Sequence, residues 1–303
     1  MIELARSSVQ TWECDTMGHM NVQFYVERCS DALAAFGAKM GLGPKALARS
    51  KHRFEPVDQH MRFLKELRPG TPYYLRGGAV QADIMTLTTY CELVQTSNNE
   101  PAATFRSVSR LVQLGDHEPD GFEDGARAMA MHNKVEIPPH AAPRGLTLDA
   151  PRKAPTLAET EKLNMVATYQ GAVHARECDA QGYLQPRSFM ARLSDSIPNL
   201  LVLTSGRNRG EPGSTGGAAL EYRFIYRKFP RVGDLLCIRS GLRSIAEKTY
   251  VWAHWIFDAE TGECVGTAEA VAVAMDLTTR KAIAIPPELR ERLEKLIVPG
   301  LTI

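Results

Sequence analysis

Hydrophobic and polar positions follow the same order of patterns in both halves of this 303-residue chain. The first half has an apolar stripe at helical spacing, formed by Val22, Tyr25, Cys29, Leu33, Phe36 and Met40. Asn21 is a suitable N-cap for this helix, and Gly41 is a suitable stop signal. A second helix is predicted from Ser188 to Leu203, with a kink at Pro198.

Long β-rich stretches follow each predicted helix. They cover residues 57–67, 72–82, 85–96 and 102–114 in the first half, and 218–229, 234–244, 248–258 and 264–276 in the second. Residues 249–257 are apolar at both odd and even positions, which is typical of a strand covered on both faces. One helix followed by an antiparallel meander predicts an α+β fold in which the sheet buries the helix.

The two halves also share a sequence motif. Glu13-Cys14-Asp15 recurs as Glu177-Cys178-Asp179, and a glycine follows each aspartate three positions later, at Gly18 and Gly182. Residues 11–31 and 175–195 are identical at seven of 21 positions. The order of later landmarks is also conserved between the halves, so the sequence predicts a duplicated unit. We expect an N-terminal unit over 1–137, a linker over 138–160 and a C-terminal unit over 161–303, because residues 138–160 contain five prolines.

Composition narrows the function classes. The 36 Lys plus Arg and 35 Asp plus Glu residues give a net charge of +1, which argues against a strongly basic nucleic-acid binder. No apolar run approaches the roughly 20 residues that cross a bilayer, and the N-terminus lacks a secretory pattern. The cysteines and histidines show no metal-ligand spacing. We therefore expect a cytoplasmic protein with no metal, no membrane segment and no nucleic-acid partner.

The strongest candidate for chemistry is the motif that runs from Asp15 through Gly18 and His19 to Asn21, followed by Tyr25. A strand ends here, glycine permits a tight turn, and a helix begins. The N–H groups at a helix start can stabilise a developing oxyanion. A carboxylate just upstream can attack a carbonyl carbon or direct water at it. The motif therefore combines two elements of an acyl-transfer site.

This pattern resembles the hotdog-fold thioesterases, especially the 4-hydroxybenzoyl-CoA thioesterase-like group and the acyl-CoA thioesterases. The resemblance covers nearly the whole chain and implies two tandem hotdog units, each a long helix wrapped by an antiparallel sheet. In that family two units pair side by side and acyl-CoA lies at their junction. The implied function is hydrolysis of an acyl-CoA to a free acid and CoA, with no cofactor.

The resemblance also implies roles for single residues. Asp15 matches the catalytic aspartate, which serves as nucleophile or general base. The backbone N–H that polarises the thioester carbonyl falls on Val22, and His19 and Asn21 match positions that orient water or the carboxylate. Asp179 is the equivalent residue of a second site. That site is expected to be impaired, because Pro186 stands where Val22 supplies its N–H and proline has no such donor.

Further residues are candidates for substrate binding. They are Gly18 and Tyr25 in the first motif, and the basic cluster Arg223, Arg227, Lys228 and Arg231, which could hold the phosphates of CoA. The alternative interpretation is that the cluster forms a solvated basic edge around a strand end and turn. The three tryptophans are assigned to core packing. Cys14 and Cys178 adjoin the aspartates but should face away from them, since neighbours along a strand point to opposite sides.

Two other functions remain open from the sequence. An acyl-ACP thioesterase carries a related Asp-x-x-x-His-x-Asn pattern in a double hotdog, and Asp15, His19 and Asn21 satisfy it. A non-catalytic hotdog module that binds acyl-CoA belongs to another class and would bind without hydrolysis. Association of two chains into a homodimer of double hotdogs also stays open.

Overall fold

The computed structural model describes residues 1–115, 118–205 and 215–303, and for residues 204 and 205 the backbone alone. The chain forms two compact units, Met1–Ala142 and Pro143–Ile303, called here the first and second unit. The division falls inside the proline-rich segment 138–160. That segment contains a 3₁₀ turn at Pro139–Ala141 and leads into a short helix at Leu157.

The first unit consists of a long helix and an antiparallel sheet. Its elements in chain order are β1 (Ile2–Ser8), α1 (Val22–Lys39), α2 (Pro44–Ser50), β2 (His52–Phe63), β3 (Pro72–Ala82), β4 (Leu87–Gln95), β5 (Glu100–Gln113), β6 (Pro119–Asp120) and α3 (Asp124–His132). The strand order is β1-β3-β4-β5-β2, and every pair is antiparallel. Helix α1 packs against β1, β3 and β4.

The predicted apolar stripe is the buried face of α1. Tyr25, Cys29, Leu33 and Phe36 are all buried, whereas Val22 at the helix start is only half-buried. Towards the end of the helix, Phe36 and Met40 join a core cluster with residues from β3, β4 and α3. The helical period therefore gives the buried face correctly, because burying these side chains is the main favourable term for the helix.

The second unit repeats this arrangement. Its elements are α4 (Leu157–Lys162), β7 (Val166–Ala172), α5 (Pro186–Ser205), β8 (Thr215–Tyr226), β9 (Leu235–Ile245), β10 (Thr249–Asp258), β11 (Cys264–Asp276), β12 (Lys281–Ala282) and α6 (Pro287–Glu294). The strand order β7-β9-β10-β11-β8 matches that of the first unit strand for strand. Helix α5 packs against β7.

Strand β10 is covered on both faces, as its apolar pattern predicts. Ala253, Trp255 and Phe257 join a core cluster with the C-terminal residues Val298, Leu301 and Ile303. The neighbouring residues Trp252 and His254 are buried as well. Trp255 also donates its indole N–H to the carbonyl of Thr302 at 3.1 Å, which ties the chain end to the sheet.

Some details differ from the sequence prediction. Helix α5 begins at Pro186, two residues before the expected start, since proline is well suited to the first helical position. Strands β2 and β8 begin at residues 52 and 215, earlier than expected. Core packing holds for Trp252 and Trp255 and is wrong for Trp12, which is 76% exposed. Within the described ranges, no helix has the length and apolar character needed to cross a membrane.

Candidate active site

A tight turn in the first unit holds Asp15 at the start of α1. Cys14 and Met20 form an isolated antiparallel bridge, and Asp15 donates its N–H to the carbonyl of His19 at 3.0 Å. The N–H of Gly18 donates to the carbonyl of Asp15 at 2.9 Å. Gly18 has φ +73°, a left-handed conformation that glycine adopts without strain. This turn explains the Asp-x-x-Gly spacing of the motif.

Helix α1 begins directly after the turn. Asn21 is its N-cap in extended conformation, and its Oδ1 accepts the N–H of Gln23 at 3.0 Å. The N–H of Asn21 donates to the carbonyl of Glu13 at 2.8 Å, so the cap is fixed to the preceding segment. Val22 is the first helical residue, and its N–H has no acceptor within the helix. The predicted N-cap is therefore confirmed.

The Asp15 side chain is nearly buried, with 11% of its surface exposed. Its Oδ1 accepts the N–H of Met17 at 2.9 Å and lies 3.7 Å from Nδ1 of His19. The backbone bond fixes the rotamer of Asp15, so the carboxylate has a defined direction relative to the turn. A fixed and largely desolvated carboxylate suits a general base or a nucleophile.

His19 lies between two carboxylates. Its Nδ1 faces Asp15, and its Nε2 lies 3.7 Å from Oε1 of Glu66. Glu66 follows β2, where the N–H of Met20 donates to the carbonyl of Leu67 at 2.8 Å and brings this segment against the motif. Glu66 cannot be identified from the sequence alone, because nothing in its local pattern marks it.

The second unit has the same turn with different chemistry. Oδ1 of Asp179 accepts two backbone N–H groups, from Gln181 at 3.0 Å and from Tyr183 at 2.9 Å. Pro186 occupies the first position of α5, which Val22 occupies in α1. Here the helix start therefore presents no N–H at that position.

The partner of the histidine is also absent from the second motif. The N–H of Leu184 donates to the carbonyl of Pro230 at 2.7 Å, in the same way that Met20 pairs with Leu67. By this equivalence Phe229 stands in the place of Glu66, and Tyr183 stands in the place of His19. The second motif thus keeps the aspartate and the glycine turn, whereas Gln185 stands in the place of Asn21 and donates from Nε2 to the carbonyl of Cys178 at 2.8 Å.

The structure gives Tyr25 a packing position. Its side chain is buried, and its ring contacts that of Phe63 edge to face at 5.2 Å. Its hydroxyl donates to the carbonyl of Lys65 at 3.4 Å, and burial raises the pKa of the phenol well above its usual range. Through these contacts Tyr25 supports the segment that carries Glu66.

Two of the four residues in the basic cluster of the second unit bind backbone carbonyls. Arg223 is 3% exposed and donates from Nη1 to the carbonyl of Thr147 at 3.0 Å. Arg227 donates from Nη2 to the carbonyl of Arg152 at 2.7 Å. Lys228 pairs with Glu263 at 2.5 Å on the surface. The guanidinium of Arg231 lies 5.0 Å from the ring centre of Tyr183, beside the second motif.

The first unit uses an arginine in the same way. Arg62 of β2 pairs in register with Thr104 of β5, and its Nη1 donates to the carbonyls of His140 at 2.5 Å and Ala142 at 2.9 Å. Arg62 fixes the segment that follows the first unit's sheet. Arg223 fixes the segment that precedes the second unit's sheet. The neighbouring residues Lys65 and Glu100 form an exposed ion pair.

The cysteines beside the aspartates are poor nucleophiles. Sγ of Cys14 points to the carbonyl of Gln10 at 3.6 Å, and Sγ of Cys178 points to the carbonyl of His174 at 3.6 Å. Burial raises the pKa of both thiols, which keeps them protonated at neutral pH. The candidate reacting groups of the motif are therefore its oxygen and nitrogen groups.

Comparisons with known proteins converge on one family. The profile of the thioesterase-like superfamily matches residues 9–144 and 173–293. The long-chain acyl-CoA thioesterase FadM of Escherichia coli (strain K12) is 36% identical over 72 residues, which are 24% of this chain and 54% of FadM. The chain thus aligns with about half the length of this curated relative.

Solved structures share the fold over nearly the whole chain. A protein from Lactobacillus plantarum assigned as an oleoyl thioesterase superposes with a TM-score of 0.68 and 11% identity, covering 94% of this chain and 97% of its own. An acyl-ACP thioesterase from Bacteroides thetaiotaomicron VPI-5482 gives a TM-score of 0.65 and 11% identity, covering 88% and 96%. At this identity the likeness establishes the α+β hotdog fold in two copies.

Proposed function

We propose that this chain, which belongs to the thioesterase-like superfamily, hydrolyses the thioester of an acyl-CoA at the motif of its first unit. The observation that carries the proposal is the turn from Asp15 to Val22. It holds a desolvated carboxylate and the first N–H of a long helix within eight residues of chain. These are the two groups that acyl transfer to water requires.

The reaction follows from these groups. A water oxygen attacks the thioester carbonyl carbon while the Asp15 carboxylate accepts the water proton. The N–H of Val22 donates to the oxyanion of the tetrahedral intermediate, where the helix dipole adds to the stabilisation. The intermediate expels the CoA sulfur, which receives the proton from Asp15, and the acid is released. Attack by Asp15 itself would give an acyl anhydride that water then opens.

His19 and Asn21 support this arrangement in different ways. His19 lies against the Asp15 carboxylate and is itself flanked by Glu66. Asn21 caps α1 and so keeps the helix start in place behind the turn. In this proposal they position the reacting groups rather than exchange bonds with the substrate.

The second motif is proposed to be inactive or nearly so. Pro186 removes the helix donor, and Phe229 and Tyr183 replace the Glu66–His19 pair. Loss of one oxyanion donor lowers turnover by about 10²–10³. This comparison supports assigning catalysis to the first motif alone.

A matched pair of variants tests the proposal. Asp15→Asn should reduce release of CoA thiol from acyl-CoA by at least ~10², whereas Asp179→Asn should leave it within about twofold. Equal losses would contradict the asymmetry, and unchanged turnover in Asp15→Asn would remove the assignment. Assaying the same acyl group on CoA and on acyl-carrier protein decides which carrier is preferred. Saturable binding of acyl-CoA without any hydrolysis would instead indicate a binding module.

A further inference from the structure

The second unit contains a cavity of about 300 Å³ that is separate from both aspartate motifs. Its walls include the apolar side chains Leu163, Val166, Trp252 and Ile297. Two lysines, Lys162 and Lys295, also line it. The volume lies at the lower end of the roughly 300–1,000 Å³ typical of small-molecule sites.

The cavity arises from a gap along the edge of β9. Strand β7 pairs with β9 only from Val166 onward, where Val166 faces Ser240. Further along, the C-terminal segment takes over the edge through a parallel bridge between Leu242 and Ile297, and Val298 donates its N–H to Leu242 at 2.8 Å. Gly241 lies between the two partners and is one of the residues that line the cavity.

The first unit has the same strand-edge arrangement at the corresponding position. Gly78 corresponds to Gly241, and a parallel bridge between Ala79 and Lys134 corresponds to the one between Leu242 and Ile297. Both glycines are closely covered on one side: a Cβ on Gly78 would lie 2.1 Å from the carbonyl oxygen of Asn133, and a Cβ on Gly241 would lie 2.8 Å from Cδ2 of Leu301. A separate void of about 10 Å³ beside Gly78 is bounded by α1 and β1.

The charges at the cavity are one-sided. Neither Lys162 nor Lys295 has an ion-pair partner among the described residues, and both are exposed. The residues that line the cavity include no carboxylate. An occupant that satisfies both the apolar walls and the two ammonium groups has an apolar body and one anionic end.

We propose that this cavity binds the carboxylate form of an aliphatic monocarboxylic acid, with the carboxylate at Lys162 and Lys295 and the alkyl chain against Val166 and Trp252. At roughly 30 Å³ for each water-sized volume, about 300 Å³ accepts about ten non-hydrogen atoms. Octanoate has this size and is the probe of choice. The cavity is too small for an entire CoA ester. The proposal does not depend on the catalytic assignment.

Binding of octanoate to the full chain tests the site, by calorimetry and by the NMR signal of the Trp252 indole. We expect saturable binding that shifts the Trp252 signal and leaves that of the exposed Trp12 unchanged. The neutral 1-octanol and the cationic octylamine should bind at least about fivefold more weakly, since exposed charge pairs contribute modestly. Equal binding of octanoate and octanol, or no shift at Trp252, would overturn the proposal.

Variants locate the site. The double change Lys162→Gln with Lys295→Gln should raise the Kd for octanoate about tenfold, whereas the surface control Lys281→Gln should not change it. Val166→Phe should fill the cavity and abolish binding while the thermal midpoint confirms a folded protein. Asp15→Asn should bind octanoate as the parent does. Loss of binding in Asp15→Asn would place the ligand at the first motif and refute a separate site.

Discussion

His19 Nε2 lies 3.7 Å from Oε1 of Glu66, while its Nδ1 faces Asp15 at the same distance. The imidazole is therefore held from both sides, by the candidate catalytic carboxylate and by a carboxylate from the segment after β2. Glu66 is one-third exposed, whereas Asp15 is nearly buried. This difference suits a reacting group on one side and a positioning group on the other.

Changing Glu66 should affect turnover more than stability. In Glu66→Ala the imidazole loses its outer restraint, and kcat should fall by about two- to fivefold, as expected for a partly exposed pair worth up to about 1 kcal/mol. KM and the thermal midpoint should stay near the parent values, and Glu66→Asp should recover part of the loss. Steady-state kinetics and thermal melts check this. A lower thermal midpoint with unchanged kcat would make Glu66 a structural residue.

The local parts of the site could be predicted from the sequence. The turn at Gly18, the cap at Asn21 and the buried face of α1 depend on residues within a few positions of one another, and the structure confirms them. The duplication could be predicted from the sequence for the same reason. It preserves an ordered set of local landmarks, and these fold into the same strand order twice.

The long-range contacts could not be predicted. Glu66 reaches His19 only because the backbone of Met20 pairs with Leu67. The sequence around Arg223 indicates a surface cation. The side chain is nevertheless buried, because the segment around Thr147 covers it. A single sequence does not state which strand edge or segment will cover a residue. The contacts of Glu66 and the burial of Arg223 therefore depend on pairing between segments that are distant in sequence.

Removing one N–H at the start of α1 should abolish most of the activity. Val22→Pro replaces the residue at the first helical position, where proline is tolerated and where the second unit already has Pro186. Asn21 has φ −67° and ψ 143°, which is compatible with a following proline. We expect the fold to persist and kcat to fall by about 10²–10³.

Two controls separate the N–H from the side chain. Val22→Ala keeps the N–H and should retain most of the activity, and Pro186→Val in the second unit should change turnover by less than about twofold. The comparison uses release of CoA thiol together with circular dichroism. Similar losses in Val22→Ala and Val22→Pro would show that the side chain matters and that the N–H does not.

Arg223 should contribute to stability and not to substrate affinity. Arg223→Met removes a charged donor from the carbonyl of Thr147 inside the second unit. The free energy of unfolding should fall by about 2 kcal/mol, the usual range for a buried hydrogen bond to a charged group. Urea unfolding measures this loss, and Lys228→Gln, on the surface, should show almost none. A rise in KM for acyl-CoA in Arg223→Met, at unchanged stability, would restore its role in holding CoA phosphate.

His254 should make the second unit sensitive to acid. The side chain is fully buried between strands, its Nδ1 lies 2.8 Å from Oγ of Ser240, and burial lowers its pKa to about 4. The unfolded chain binds the proton near pH 6.5, whereas the folded chain resists it until about pH 4. The unfolded state therefore holds more protons in this window, and stability must fall as the pH falls through it.

The size of this effect follows from the two pKa values. Their difference corresponds to a loss on the order of 3 kcal/mol between pH 6.5 and pH 4. His254→Gln keeps a polar side chain beside Ser240 but cannot take up a proton, so its stability should change less over the same range. Urea unfolding of both proteins at half-unit pH steps gives the difference curve, from which the carboxylates common to both cancel. Parallel stability curves for the two proteins from pH 6.5 to pH 4 would show that His254 already titrates freely in the folded chain.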